Sequence, residues 1–160
     1  MGREVRMVPK NWEHPKNSRG QYIALHDGID LEEAISEWAT ECNKWNSGVF
    51  PDYASQEDRL MSYSEWAGER PDPDCYMPIF APNDAICVMM YETTSEGTPI
   101  SPAFATPEEL ATWLFKNNAS AFGRQTASYE GWLRVAKGGY APSAVMSSSG
   151  GLQSGVDALA

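Results

Sequence analysis

The chain has 160 residues, a hydrophobic fraction of 42% and six tryptophans, which is enough for a folded core and excludes global disorder. No stretch approaches the roughly 18 apolar residues of a membrane-spanning helix, and the first residues lack the apolar segment of a signal peptide. The net charge of −10 disfavours contact with nucleic acid or anionic lipid. We therefore expect a cytoplasmic protein that binds neither nucleic acid directly nor a membrane.

The charge is unevenly distributed along the chain. Five basic against two acidic side chains give residues 1–26 a net charge of +3, and four against two give residues 110–160 a net charge of +2. Residues 27–109 carry 18 carboxylates against three basic side chains, a net charge of −15. Such an acidic region would attract a basic protein surface by long-range steering, although it would also simply keep a small protein soluble.

The first 28 residues predict an extended arm. Prolines and turn-forming residues interrupt it, and its apolar runs favour a hairpin that pairs Val5–Val8 with Tyr22–Leu25. Asp27 and Gly28 then indicate a turn.

An acidic helical part follows, over residues 29–70. Asp30 and Glu33 have the spacing of a capping box and predict the start of a first helix. Its apolar positions share one face: Leu31, Ile35, Trp38, Cys42 and Trp45. A second capping box, Ser62 with Glu65, predicts a short helical turn that ends at Gly68.

A proline-rich linker over residues 71–85 leads to a core over residues 86–146. The apolar run "AICVMMYET" predicts a central strand covered on both faces, and "GTPIS" a short edge strand, because Pro99 cannot donate to a ladder. Thr106, Pro107 and Glu109 occupy the N-cap, first and third positions of a helix.

A last helix is predicted from about Ser128 to Lys137, with Gly138 and Gly139 as its stop. Residues 141–160 favour a small hairpin that turns at Gly150 and Gly151 and has a loose end, and residues 147–160 are predicted to form a loose tail. These elements predict a single domain of the α+β class, with a small antiparallel sheet, about three amphipathic helices and an extended N-terminal arm.

The sequence contains no recognisable catalytic, cofactor or metal motif. His26 and Asp27 are explained more simply as a turn than as part of a triad. Asp72 and Asp74 lack the further oxygen ligands of a cation site, and the three cysteines form no CxxC pair. The hydroxyl-rich "TTSEGTPIS" lacks the lysine and the glycines of a phosphate-binding loop. We therefore predict no catalytic residues, no metal and no cofactor.

Two groups of residues are candidates for binding. The arm interleaves five basic residues with Trp12 and Tyr22, which suits single-stranded nucleic acid, but the whole chain is acidic, and such an arm more often pairs with the body of its own fold. Carboxylates on a rigid surface can instead imitate phosphates and occupy a nucleic-acid-binding channel. The residues predicted to bind lie on the first helix and in two polar loops: Glu32, Glu33, Glu37, Glu41, Thr94, Ser95, Glu96 and Arg124.

Several stretches resemble a family of small hypothetical proteins of tailed bacteriophages and prophages. They are "RMVPKNWEHPKN", "GQYIALHDG", "MYETTSEGTPISPAFATPEELATWL", "NASAFGRQTASYEGWL" and "GGYAPSAVM". The resemblance implies expression in an infected bacterium and carries over no catalytic residue.

We therefore expect a non-enzymatic accessory protein in the cytoplasm of the infected cell, which binds and modulates a host or phage protein with a basic surface. The sharpest version is an inhibitor of a nucleic-acid-acting defence complex, of the anti-CRISPR kind. One alternative is a small hydrolase or transferase with its site in the 91–126 loops, formed by Glu92, Thr94, Ser95 and Glu96 with Arg124. A virion or assembly component is another.

Overall fold

The computed structural model describes residues 2–95, 97–146 and 151–158. The chain has the α+β fold that the sequence predicts, and it forms two compact units where the sequence suggested one domain. The larger unit comprises residues 1–25 and 80–160, and the smaller comprises residues 26–79. None of the described helices is both long enough and apolar enough to cross a membrane.

The larger unit contains all the strands and three of the helices that are described. The strands are β1 (Gly2–Val8), β2 (Cys87–Glu92), β3 (Thr98–Pro99), β4 (Tyr140–Pro142), β5 (Ala144–Met146) and β6 (Leu152–Ser154). The smaller unit contains α1 (Leu31–Asn46) and α2 (Tyr63–Ala67), and the larger contains α3 (Pro107–Lys116), α4 (Tyr129–Gly138) and α5 (Gly155–Ala158).

Strand β2 lies inside an antiparallel sheet of four strands in the order β3–β2–β1–β4. Its first five residues are buried, as expected of an apolar run covered on both faces. Val88 and Met90 belong to the core formed with α3 and α4. Tyr91 makes its contacts with the segment that follows β1. The predicted central strand and the predicted edge strand are both confirmed.

The predicted hairpin between Val5–Val8 and Tyr22–Leu25 is wrong. Strand β1 pairs with β2, where Val5 lies opposite Met90, and with β4 on its other side. A place inside the sheet satisfies both edges of β1 and buries Val8 completely, whereas an isolated hairpin offers no such cover.

Local capping chemistry sets the starts of α2, α3 and α4. The Ser62 side chain and the Glu65 side chain form the predicted capping box of α2, and Thr106 Oγ1 accepts a hydrogen bond from the Glu109 amide at the start of α3. Ser128 caps α4 through the Gly131 amide. Helix α1 begins directly after Asp30, as predicted, but the Asp30 side chain makes no capping hydrogen bond, because a 3₁₀ turn over residues 28–30 precedes α1 and Asp27 caps that turn.

The smaller unit packs α1 against α2 through aromatic side chains. Trp45 is buried, stacks on Trp66 at a centroid distance of 4.4 Å and donates from Nε1 to the Met61 carbonyl at 3.0 Å. Residues 71–79, predicted as part of a linker, belong to this unit, where Tyr76 forms a parallel bridge with His26.

The end of the chain is not loose over the residues that are described. Strands β5 and β6 form a two-stranded sheet, and Val156 in α5 is completely buried. The Asp157 carboxylate accepts hydrogen bonds from the Ser128 amide and hydroxyl at 3.1 and 2.7 Å. The turn predicted at Gly150 and Gly151 begins outside the described residues.

Candidate functional site

The two units differ completely in charge. Residues 26–79 carry thirteen Asp and Glu against three Lys and Arg, a net charge of −10. The larger unit carries nine of each sign and is neutral. The whole net charge of the chain therefore lies in a unit of about one third of its length.

The carboxylates of the smaller unit face solvent. Eleven of the thirteen are exposed, and Asp27 and Asp58 are half-buried. The four predicted glutamates of α1 are all among the exposed ones: Glu32, Glu33, Glu37 and Glu41. Glu41 is the one carboxylate in this unit with an ion pair among the described residues, to Lys44 at 2.5 Å.

Three of these glutamates form a row on one face of α1. Glu33, Glu37 and Glu41 follow one another at intervals of four residues, so that neighbouring side chains are about 6 Å apart along the helix. Like charges at this spacing are mutually destabilising. A cationic surface placed against the row would relieve that repulsion.

An aromatic patch lies in the same unit. It consists of Trp45, Phe50, Tyr53, Tyr63 and Trp66, in contact with one another. Tyr53 is 80% exposed while its ring stacks on Trp66. Burial raises the pKa of Tyr63, and the negative charge of Glu41 acts in the same direction. Sequence reasoning missed this patch because residues 49–61 show no regular periodicity.

The predicted loop residues do not converge on a cavity. Thr94 Oγ1 lies 3.3 Å from Ser143 Oγ, Ser95 Oγ donates to the Glu92 carbonyl, and Arg124 is exposed. None of these residues lines either described cavity. Glu96 lies outside the described residues.

The buried side chain of Arg3 connects the segments in which the two predicted polar loops lie. Its side chain is 2% exposed and forms an ion pair with Glu92 at 2.9 Å. The Nε group donates to the Ser120 carbonyl at 2.9 Å. Arg3 therefore ties the end of β2 to the loop that contains Arg124, and Arg6 is likewise buried, with an ion pair to Glu4.

A cleft of about 1110 Å³ opens in the larger unit. One part of its lining is the segment from Lys10 to Lys16 with Tyr22, and another is the segment from Pro99 to Ala103 with Trp113. A second groove, of about 850 Å³, shares Lys10, Ala103 and Trp113 with this cleft and continues beside α3.

His14 is a structural member of this cleft. Its Nε2 donates to the Ile23 carbonyl at 2.6 Å, which leaves Nδ1 to accept from the Tyr91 hydroxyl at 3.2 Å. Trp12 Nε1 donates to the same hydroxyl at 3.2 Å. Burial lowers the pKa of His14 although the Ile23 carbonyl acts in the opposite direction. Both ring nitrogens are occupied, so the histidine is not placed as a general base or a metal ligand.

Within the described residues, no three His, Cys, Asp or Glu side chains come together where they could hold a metal ion. Comparisons with known protein families, with curated proteins and with solved structures found no match to this chain.

Proposed function

We propose that this chain is a non-enzymatic accessory protein of a bacteriophage or prophage, which binds a basic host protein through residues 26–79 and modulates it. The observation that carries the proposal is the placement of the whole net charge of −10 on this unit. Charge scattered for solubility alone would be shared between the units, and here the larger unit is neutral.

The arrangement of the acidic unit suits protein recognition. The exposed carboxylates would steer a cationic partner toward the unit, and the aromatic patch would supply the apolar contact that holds it. Tyrosine and tryptophan beside charge are typical of the residues that dominate binding energy at interfaces.

A nucleic-acid-acting complex is the partner that this chemistry favours most. Such a complex presents a basic channel to the phosphate backbone. The row formed by Glu33, Glu37 and Glu41 offers that channel a regular series of negative charges on a rigid helix. An anti-CRISPR-like inhibitor, acting in the cytoplasm of the infected bacterium, is therefore the specific form of the proposal.

The experiment compares two variants that remove the same amount of charge. One neutralises the helix: E32Q, E33Q, E37Q and E41Q. The control neutralises four exposed carboxylates of the larger unit: E13Q, D84N, E109Q and E130Q. Each protein is used to capture partners from the bacterial host at low and at physiological salt, and its folding is checked by circular dichroism.

We expect the wild-type chain and the control to retain a partner with a basic surface, and the helix variant to bind it at least about tenfold more weakly. Four surface charge pairs of up to about 1 kcal/mol each are sufficient for that loss. Recovery of no basic partner at either salt, or an equal loss in both variants, would contradict the proposal. Mass spectrometry of purified phage particles that contain the chain would support an assembly component instead.

A further inference from the structure

The cleft of the larger unit brings together two stretches that are far apart in the sequence. Its lining draws on "KNWEHPK", residues 10–16, and on "PISPA", residues 99–103. Both lie within the strings that resemble phage proteins, and the proposed acidic interface uses neither of them. The cleft therefore has no role in the proposed binding of a basic protein.

Three aromatic side chains line the cleft, and each of them packs against another ring. Trp12 packs edge-on against Phe80, with the ring centroids 5.0 Å apart, and its indole N–H donates a hydrogen bond to the Tyr91 hydroxyl. Tyr22 is held against the ring of His14, and Trp113 lies beside Phe104. With its donor already used, the Trp12 ring has only its π surface to offer a ligand.

Two lysines supply positive charge to the same cleft, and the carboxylate of Glu13 in its lining leaves a net charge of +1. Lys10 and Lys16 are exposed and have no ion pair among the described residues, and Lys16 Nζ lies 4.7 Å from the centre of the Tyr22 ring. The unit that contains this cleft has no net charge, and the net charge of the chain belongs to the other unit.

The polar groups at the base of the cleft are already satisfied. Both His14 nitrogens are hydrogen-bonded, and Ser101 Oγ accepts from the Met90 amide and donates to the Pro102 carbonyl, each at 2.9 Å. His14 and Ser101 therefore provide neither a nucleophile nor free hydrogen-bond donors for a ligand. Recognition in this cleft would therefore depend on stacking and on charge.

An added peptide strand fits this lining poorly. Pro99 and Pro102 have no N–H to donate, so this wall cannot extend the sheet with an extended peptide. Proline-rich peptides dock in aromatic grooves, but they are not anionic and would leave the two lysines without a partner.

We propose that this cleft binds a nucleotide, with its base stacked on the aromatic side chains and its phosphate held by Lys10 and Lys16. Aromatic rings beside cations are the usual means of sequence-independent binding to nucleotides. The volume of about 1110 Å³ is slightly above the range of about 300–1,000 Å³ that small-molecule sites usually have, and it leaves room for more than one base.

The first test separates the two parts of the ligand by calorimetric titration of the full chain. The probes are AMP, adenosine without the phosphate, and ribose 5-phosphate without the base. We expect AMP to bind more tightly than either fragment. A tetranucleotide distinguishes two sources of the same chemistry: tighter binding than AMP supports a single strand, and equal binding supports a free nucleotide.

The second test uses variants. Removing both lysines, K10Q with K16Q, should weaken AMP about tenfold and leave adenosine unchanged, since two exposed charge pairs are lost. Tyr22→Leu should weaken AMP about tenfold and leave ribose 5-phosphate unchanged, as expected for one lost stacking contact.

The matched control is R19Q with R124Q, which removes two exposed cations of the same unit that line neither cavity and should leave AMP binding unchanged. The proposal is overturned if no nucleotide binds saturably, if the control loses as much affinity as K10Q with K16Q, or if a proline-rich peptide binds where nucleotides do not.

Discussion

Two glycines of α4 allow a sharp test of how the end of the chain packs. Gly138 has nothing within 4 Å of the position that a Cβ would occupy. At Gly131 a Cβ would overlap Asp157 Oδ1 and would lie 2.9 Å from the Val156 carbonyl oxygen. Replacement of either glycine by alanine is the same chemical change in the same helix, so the difference between the two variants measures the contact with α5.

The two substitutions should change the free energy of unfolding in opposite directions. Gly138→Ala should stabilise the protein by about 0.5 kcal/mol, because alanine restricts the unfolded chain and favours the helix. Gly131→Ala gains a similar stabilisation from the helix propensity of alanine, but its new methyl group forces α5 away from α4. Overpacking of this kind costs about 1–3 kcal/mol, and it also strains the hydrogen bonds between Asp157 and Ser128. We expect a net loss of about 1–2 kcal/mol.

Thermal unfolding and amide hydrogen exchange of residues 129–138 and 152–158 give the measurement. The two variants should differ in Tm by about 8 °C, at about 4 °C for each kcal/mol in a unit of this size. Gly131→Ala should also speed exchange in α5. If Gly131→Ala is as stable as Gly138→Ala, α5 does not pack on α4 and the reasoning fails. Adding Asp157→Ala should restore part of the loss, because it removes one of the two contacts.

Two further predictions concern buried groups of the larger unit. Because burial lowers the pKa of His14 below its ordinary value of 6.5, stability should be complete above about pH 6.5 and should fall as the pH drops through the folded pKa. Thermal melts from about pH 8 to about pH 5 should show this dependence, which His14→Gln should flatten. Arg3→Ala should lower the free energy of unfolding in urea by about 3 kcal/mol, because it strands the half-buried Glu92 carboxylate. Adding Glu92→Gln should recover part of that loss, and no recovery would argue against the ion pair.

The features that the sequence predicted well are those made by neighbours in the chain. The cap formed by Thr106, Pro107 and Glu109 involves three positions within four residues, so it could be read without knowing the rest of the fold. The exposed glutamates of α1 follow from the helical period in the same way. The apolar run of β2 indicated a strand covered on both faces, because a strand that is buried on both sides needs apolar residues at nearly every position.

The sequence left open every feature that depends on which distant segments meet. Nothing local to Val5–Val8 distinguishes a hairpin partner from β2, more than 70 residues away, because any apolar strand satisfies the same backbone groups. The tail was predicted to be loose for the same reason, since Val156 is buried by residues that lie far before it in the sequence.

The sequence by itself therefore determined the caps of α2 and α3, the class of fold and the acidic surface of α1. The tertiary structure decided that the acidic charge belongs to one unit, that Arg3 joins the two polar loops, and that residues 10–16 and 99–103 line one cleft. Caps are formed by hydrogen bonds between near neighbours, whereas a cleft and a charged unit exist only once burial has selected one set of long-range contacts.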